Sequence, residues 1–288
     1  MASMRDIKRR KNSIESTGQI TKAMKLVSTV KLQKAKARVE NAKPYFDMMY
    51  SEVTSMIQKS GNLNHVFLNG NKSKNKAIIL ITSNRGLAGG YNSNVMKLIL
   101  NDDFIKDTVK LYAVGRKGRD LLSRRGYEIK GDYSDFIEAP EFKHAAQIGN
   151  DVLEAFDRGE VGEIYIAYTV FRNTVTHVPK LLKLLPIEVN SLEIKEDDTD
   201  KLTFMNYEPA AEEALHLIIP KYINSLIYGA LMEALASEHG ARIQAMESAT
   251  NNAEDMIEDL DLKYNRARQG AITRELTEIV AGANAINE

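Results

Sequence analysis

The chain has 288 residues, with Lys and Arg totalling 39 against 39 Asp and Glu, five His, no Cys and 43% apolar residues. Zero net charge argues against a uniformly basic nucleic-acid binder, and the apolar fraction excludes a disordered chain and suits at most two domains. Absence of Cys removes disulfides, thiol nucleophiles and cysteine zinc sites, leaves His and carboxylates as side-chain metal ligands, and fits an intracellular compartment.

Charge is balanced overall but not locally. Residues 1–43 hold 12 basic and 3 acidic residues, 208–288 hold 6 and 14, and the middle holds 21 and 22, so oppositely charged ends flank a neutral centre. Met1 to Lys11 is charged with no apolar core after it, which is unlike a secretory signal. Arg5, Arg9 and Arg10 give a weak likeness to a transit peptide, but a continuous helical pattern follows, so the segment is expected to be structural. A helix over roughly 4–57 carries Ile20, Ala23, Met24, Val27 and Val30 on one face, with Leu26 and Leu32 pointing elsewhere. Asn62 to Asn75 is a connection. The apolar runs Lys76–Thr82, Val109–Gly115 and Glu163–Phe171 read as strands, alternating with helices near 93–102, 116–125 and 141–158, which implies a parallel βαβ sheet. Thr174 to Leu185 adds an edge strand, and Glu196 to Asp200 is a solvated acidic turn. The longest apolar runs, such as Ala77 to Ile81, are far shorter than the roughly 20 residues that span a bilayer.

A second long helix is expected over roughly 221–286. Leu215, Ile218, Ile219, Tyr222, Ile223, Leu226, Ile227, Ala230 and Leu231 make a wide stripe suited to leaving a globular core, and Ala253, Ile257, Leu260, Tyr264, Ala267 and Ala271 make a heptad seam. No proline lies before 44 or after 220. The expected organisation is a helix in 1–60, a central Rossmann-like α/β domain in 61–208 and a helix in 209–288, with the two terminal helices folded as a long antiparallel coiled coil, basic against acidic. The C-terminal helix is the longer and should overhang its partner, exposing the apolar, small-residue stretch Ile279 to Ile286. Two arrangements satisfy this pattern: a rod that inserts into a partner, and a helical hairpin that closes on its own domain.

The chemical motifs are weaker. The loop Thr82-Ser-Asn-Arg-Gly-Leu-Ala-Gly-Gly-Tyr-Asn92 follows a strand and precedes a helix, where phosphate loops sit, but it has neither GxGxxG nor GxxxxGK[ST] spacing. Its glycines read as serving a tight turn. His65, His144, His177, His216 and His239 show no metal-ligand spacing, and Glu233, Glu238, Asp255, Glu258 and Asp259 read as a solvated helix face. Ile7-Lys-Arg-Arg-Lys11 could meet nucleic acid or an anionic membrane, yet residues 1–43 contain no Phe, Tyr or Trp for stacking or anchoring, so pairing with acidic protein surfaces is the stronger reading.

Three blocks resemble the γ-subunit family of F-type ATP synthases along essentially the whole chain. They are Ile7-Lys-Arg-Arg with Thr17 to Met24 and Val27 to Ala35; the loop 82–92; and Ala234 to His239 with Arg242 to Met246, followed by Leu262 to Gln269 and Ile272 to Asn284. Ala88 stands where many members have Cys, and Gly240 replaces a common Ala, a change that should loosen a helix by about 1 kcal/mol. With no Cys, the chain lacks the insertion of the redox-regulated chloroplast form. A bacterial-type subunit is implied, peripheral on the cytoplasmic side of the cell membrane.

The resemblance implies a non-catalytic rotor shaft without cofactor or metal. Its coiled coil would stand in a ring of three α and three β subunits, and its central domain would contact ε and the c-ring. It further implies that Arg268 and Gln269 hydrogen-bond β-subunit loops, that Thr273 and Glu275 lie a turn further on, and that Arg242, Met24 and Lys22 face the β subunits lower down.

Overall fold

The computed structural model describes residues 4–59, 65–101, 104–187 and 211–287. The domain limits expected near 60 and 208 and the acidic turn at 196–200 lie outside the described residues. Contacts divide the chain into two compact units, residues 29–242 and residues 1–28 with 243–288.

Residues 29–242 hold a five-stranded sheet. Its strands are β1 (Lys76–Ile81), β2 (Val109–Val114), β3 (Glu128–Asp132), β4 (Glu163–Phe171) and β5 (His177–Leu185), in spatial order β3-β2-β1-β4-β5. The first four are mutually parallel and β5 runs antiparallel to β4. Lys-Ala-Ile-Ile-Leu-Ile in β1 is apolar without alternation because the strand is covered on both faces, as central parallel strands are. β5 tolerates Pro179 and carries Lys180 and Lys183 because it is an edge strand, where a missing N–H and exposed charge discourage further pairing. β3, Glu-Ile-Lys-Gly-Asp, is the strand the sequence pattern did not reveal. Its side chains alternate between exposed and half-buried, and on an edge it needs no apolar run.

Helices cover both faces. α3 (Tyr91–Leu100) and α4 (Arg116–Arg124) flank one side, where Ile78, Leu80, Val95, Ile99, Leu111 and Leu122 pack. On the other side, α5 (Phe142–Asp157), the end of α1 (Met4–Lys59) and the first half of α6 (Ala211–Asn287) close over Ile79, Ile81, Val114 and Ile166. A four-residue helix, α2 (Val66–Asn69), precedes β1 and buries Phe67. Leu215, Ile219, Tyr222, Ile223, Ile227, Ala230 and Leu231 are all buried here, which confirms the wide stripe read from the sequence.

The long helices are not proline-free. Pro44 lies inside α1, and α6 begins at Ala211 and passes through Pro220. An internal proline costs roughly 3 kcal/mol, while each large apolar side chain buried beside it contributes roughly 1.5–3 kcal/mol. Ile219, Tyr222 and Ile223 around Pro220 are all buried, so packing prevails over the lost backbone bond.

Candidate partner interface

In residues 1–28 and 243–288, α1 and α6 run antiparallel in one register. Lys11 meets Asp261 at 2.6 Å, Lys25 meets Glu247 at 2.7 Å, the Thr21 and Thr250 hydroxyls hydrogen-bond at 2.8 Å, and Gly18 faces the Ala253 Cβ. Each pair of numbers sums to 271 or 272. The Asp261 hydrogen bond is the main reason the Lys11 ammonium holds its proton more tightly than usual. The expected pairing of basic against acidic is therefore realised at two points. These ion pairs are exposed to water and screened by salt, so they set alignment and add little stability.

On α6 the seam is the expected one, with Ala253 and Leu260 buried and Ile257, Tyr264, Ala267 and Ala271 half-buried. On α1 it is not the apolar stripe. Ile20, Val27 and Val30 are 60%, 57% and 52% exposed, whereas Ile7, Thr21, Ser28, Leu32 and Ala35 are buried. The inward positions 7, 14, 18, 21, 28, 32 and 35 step by heptads, and several are small or hydroxylic because the helices approach closely there. Counting apolar residues alone overlooks such a seam and leaves Ile20, Ala23, Leu26 and Val27 facing outward.

The register also locates the end of the pairing. With partner numbers summing to about 272, Met4 lies opposite residue 268, so α6 continues for about 28 Å past the described start of α1. In that stretch Ile272, Leu276, Ile279 and Val280 are 48%, 58%, 61% and 58% exposed. They follow one another at helical spacing and form a single apolar stripe of the kind that marks a binding surface. Of the residues singled out by the resemblance, Arg268, Gln269, Thr273 and Glu275 are exposed along this stretch, and the Thr273 hydroxyl donates to the Gln269 carbonyl at 2.9 Å. Lys22 is exposed and Met24 half-buried on α1.

Arg242 is placed differently. It belongs to residues 29–242 and is buried, with its guanidinium 2.7 Å from Glu238 and donating to the Gly86 carbonyl at 3.4 Å. Glu238 is buried as well and does not lie on a solvated face; burial raises its pKa. Burial and, secondarily, the Arg242 and Lys31 charges push the neighbouring His239 down to about 4. The neutral ring is thus favoured in the fold, and the unfolded chain binds the extra proton between about pH 6.5 and 4, so this group removes stability as pH falls through that window. Glu238 acts in the opposite sense, since its raised carboxyl favours protonation in the fold. His239→Gln should cancel an acid-dependent loss of about 2–3 kcal/mol near pH 4.5, read as a shallower fall in melting temperature from pH 7 to 4.5 than wild type shows. Equal slopes would refute the assignment.

The loop 82–92 is knitted into the fold. Ser83 N–H donates to Asn92 Oδ1 at 2.9 Å and the Ser83 hydroxyl to the Arg85 carbonyl at 2.6 Å. The first N–H groups of α4, from Arg116, Lys117 and Gly118, donate to Asn84 Oδ1, the Ser83 carbonyl and Thr82 Oγ1. The loop is thereby tied to the start of α4, the helix that follows β2. His144 accepts from the Glu141 N–H at the start of α5 and stacks on Phe136 at 4.3 Å. Among the described residues no three His, Asp or Glu converge as a metal site, and no helix is long and apolar enough to cross a membrane.

Comparison with known proteins follows the same lines. A family model described as ATP synthase matches residues 3–286. The ATP synthase gamma chain of Lachnoclostridium phytofermentans is 68% identical, with both chains covered completely. The sodium-ion-specific gamma chain of Acetobacterium woodii is 44% identical over 99% of each chain. Among solved structures, a chain from the central stalk and c-ring of the Tetrahymena thermophila mitochondrial ATP synthase is 27% identical, with a TM-score of 0.60 over 80% of this chain and 99% of that one. A chain from the Euglena gracilis mitochondrial ATP synthase in rotational state 3 shares the fold, with a TM-score of 0.71, 19% identity and 98% and 94% coverage.

Proposed function

The chain belongs to the ATP synthase γ-chain family, and from that premise we propose that it is the non-catalytic shaft of the rotor, coupling ion flow across the membrane to ATP synthesis or hydrolysis. Its paired helices stand within a ring of three α and three β subunits, and its α/β domain contacts ε and the c-ring. The complex is membrane-bound and this subunit is a peripheral part of it, needing no membrane span, cofactor or metal of its own. As ion flow turns the c-ring, the shaft turns with it. An asymmetric helix pair makes different contacts with three otherwise equivalent β subunits, and only differential contact can bias their conformations through binding of ADP and phosphate, formation of ATP and its release.

The observation that carries this reading is the apolar stripe Ile272, Leu276, Ile279 and Val280 on the stretch of α6 that outruns its partner. A surface of this kind marks a place that a partner covers. Arg268, Gln269, Thr273 and Glu275 border the stripe, and Lys22 and Met24 lie on α1; these six are the proposed contacts to β loops. Arg242, already matched by Glu238, contributes by holding the loop 82–92 in place. Co-purification tests the reading: α and β subunits should accompany the chain in stoichiometric amounts, and their absence would remove it. The isolated chain should neither hydrolyse ATP nor bind labelled nucleotide saturably.

Arg268 offers a planar fork suited to a carboxylate on a β loop. Arg268→Ala should leave the fold intact and weaken assembly or coupled turnover, since an exposed residue contributes within about 0.5 kcal/mol to folding. Unaltered assembly and ATP synthesis in reconstituted vesicles would count against this contact.

A further inference from the structure

All nine residues from Ala234 to Arg242 are buried, so over more than two turns α6 has no solvent-facing side. The loop 82–92 takes one side: the Tyr91 hydroxyl donates to the Ala234 carbonyl at 3.1 Å, Ala88 and Tyr91 pack on Ala241, and the Gly86 carbonyl accepts from Arg242. The far end of the β4–β5 hairpin takes the next. There the Thr169 carbonyl accepts from the Ser237 hydroxyl at 3.0 Å, and His177 and Phe171 press on bare Gly240, where an added Cβ would sit 2.5 Å from His177 Nε2. α1 lies against the hairpin as well, with Lys36 over the Phe171 ring and Leu32 and Ala35 buried. At 100° per residue, the loop and hairpin contacts together span about 200° of the helix circumference.

We propose that this collar is where torque crosses from the α/β domain into α6, with Gly240 as the slot that seats the hairpin. The proposal rests on the rotor reading above. The greasy face at residues 215–231 holds the helix by burial alone, which tolerates small angular slips. The Tyr91, Ser237 and Arg242 hydrogen bonds are directional and fix the rotational phase of the helix. The glycine is then a requirement of the hairpin and not merely a weakness in the helix.

The test uses the complete complex in vesicles. Because the chain has no Cys, Ala88→Cys with Ala241→Cys supplies the only thiols in this subunit. Diamide should take up the two thiol protons and two electrons as the disulfide forms, and the membrane potential generated per ATP hydrolysed should stay at its unoxidised value. A loss of that ratio reversed by dithiothreitol would mean that loop and helix must slide past each other, and failure of the thiols to pair would mean they do not adjoin. Either result overturns the collar. In parallel, Gly240→Ala should lower the potential per ATP hydrolysed, and adding His177→Ala should restore it. A role confined to folding would change the amount of complex but not this ratio, so an unchanged ratio also overturns the proposal. If instead the wild-type chain fails to assemble with α and β, the rotor reading itself fails.

Discussion

Leu276→Asp together with Ile279→Asp should abolish co-assembly with α and β subunits while the melting temperature of the isolated chain stays close to wild type. Both side chains are more than half exposed in the chain alone, and surface substitutions usually move stability by less than about 0.5 kcal/mol. In a covering partner each would bury its apolar area, worth roughly 1.5–3 kcal/mol, and each aspartate would instead bring a charge that has to be desolvated. Together this exceeds about 4 kcal/mol, on the order of a thousandfold in affinity. Pull-down of α and β at wild-type stoichiometry would show that the stripe is not the docking surface. A large drop in melting temperature would show that it is packed within the chain itself.

The largest loss of stability should come from Gly115→Ala. Gly115 sits between β2 and α4 at φ +118°, and an added Cβ would lie 2.0 Å from the Thr82 carbonyl oxygen and 2.5 Å from its carbon. These are backbone atoms, and they cannot withdraw because Thr82 N–H donates to Val114 and Thr82 Oγ1 accepts from Gly118 N–H. Strain and displacement together should cost at least about 4 kcal/mol, lowering the melting temperature by roughly 8–16 °C. Gly159 is the control: its φ is +72° with nothing within 4 Å of an added Cβ, so Gly159→Ala carries only the left-handed penalty of about 1–2 kcal/mol. Equal losses at the two positions would mean that backbone conformation, and not the Thr82 contact, sets the cost.

How legible each element was in the sequence follows from its burial. β1, β2 and β4 are mainly apolar because both their faces are largely covered, and their limits were readable to within a residue. β3 is five residues on an edge with Gly131 inside it, so neither length nor hydropathy marked it. On α6, Ala253 to Ala271 announces its seam because the inward positions are mainly apolar. On α1 the inward positions include Gly18, Thr21 and Ser28, and the conspicuous apolar residues face away. Arg268, Gln269, Thr273 and Glu275 became candidates through family resemblance, since nothing in local physics separates them from other exposed helix residues. Arg242 could not be placed from sequence because the Gly86 carbonyl it meets is 156 positions away.

The Thr21–Thr250 hydroxyl pair has one more effect. A heptad repeat looks the same to itself after seven residues, so apolar packing alone would let the two strands mesh one notch early or late. Each notch would advance or retract the free tip of α6 by about 10 Å. A polar contact at a single seam position penalises every notch but one. Two small alcohols near the middle of the pair thus act as an indexing pin, setting how deeply the tip reaches into whatever receives it.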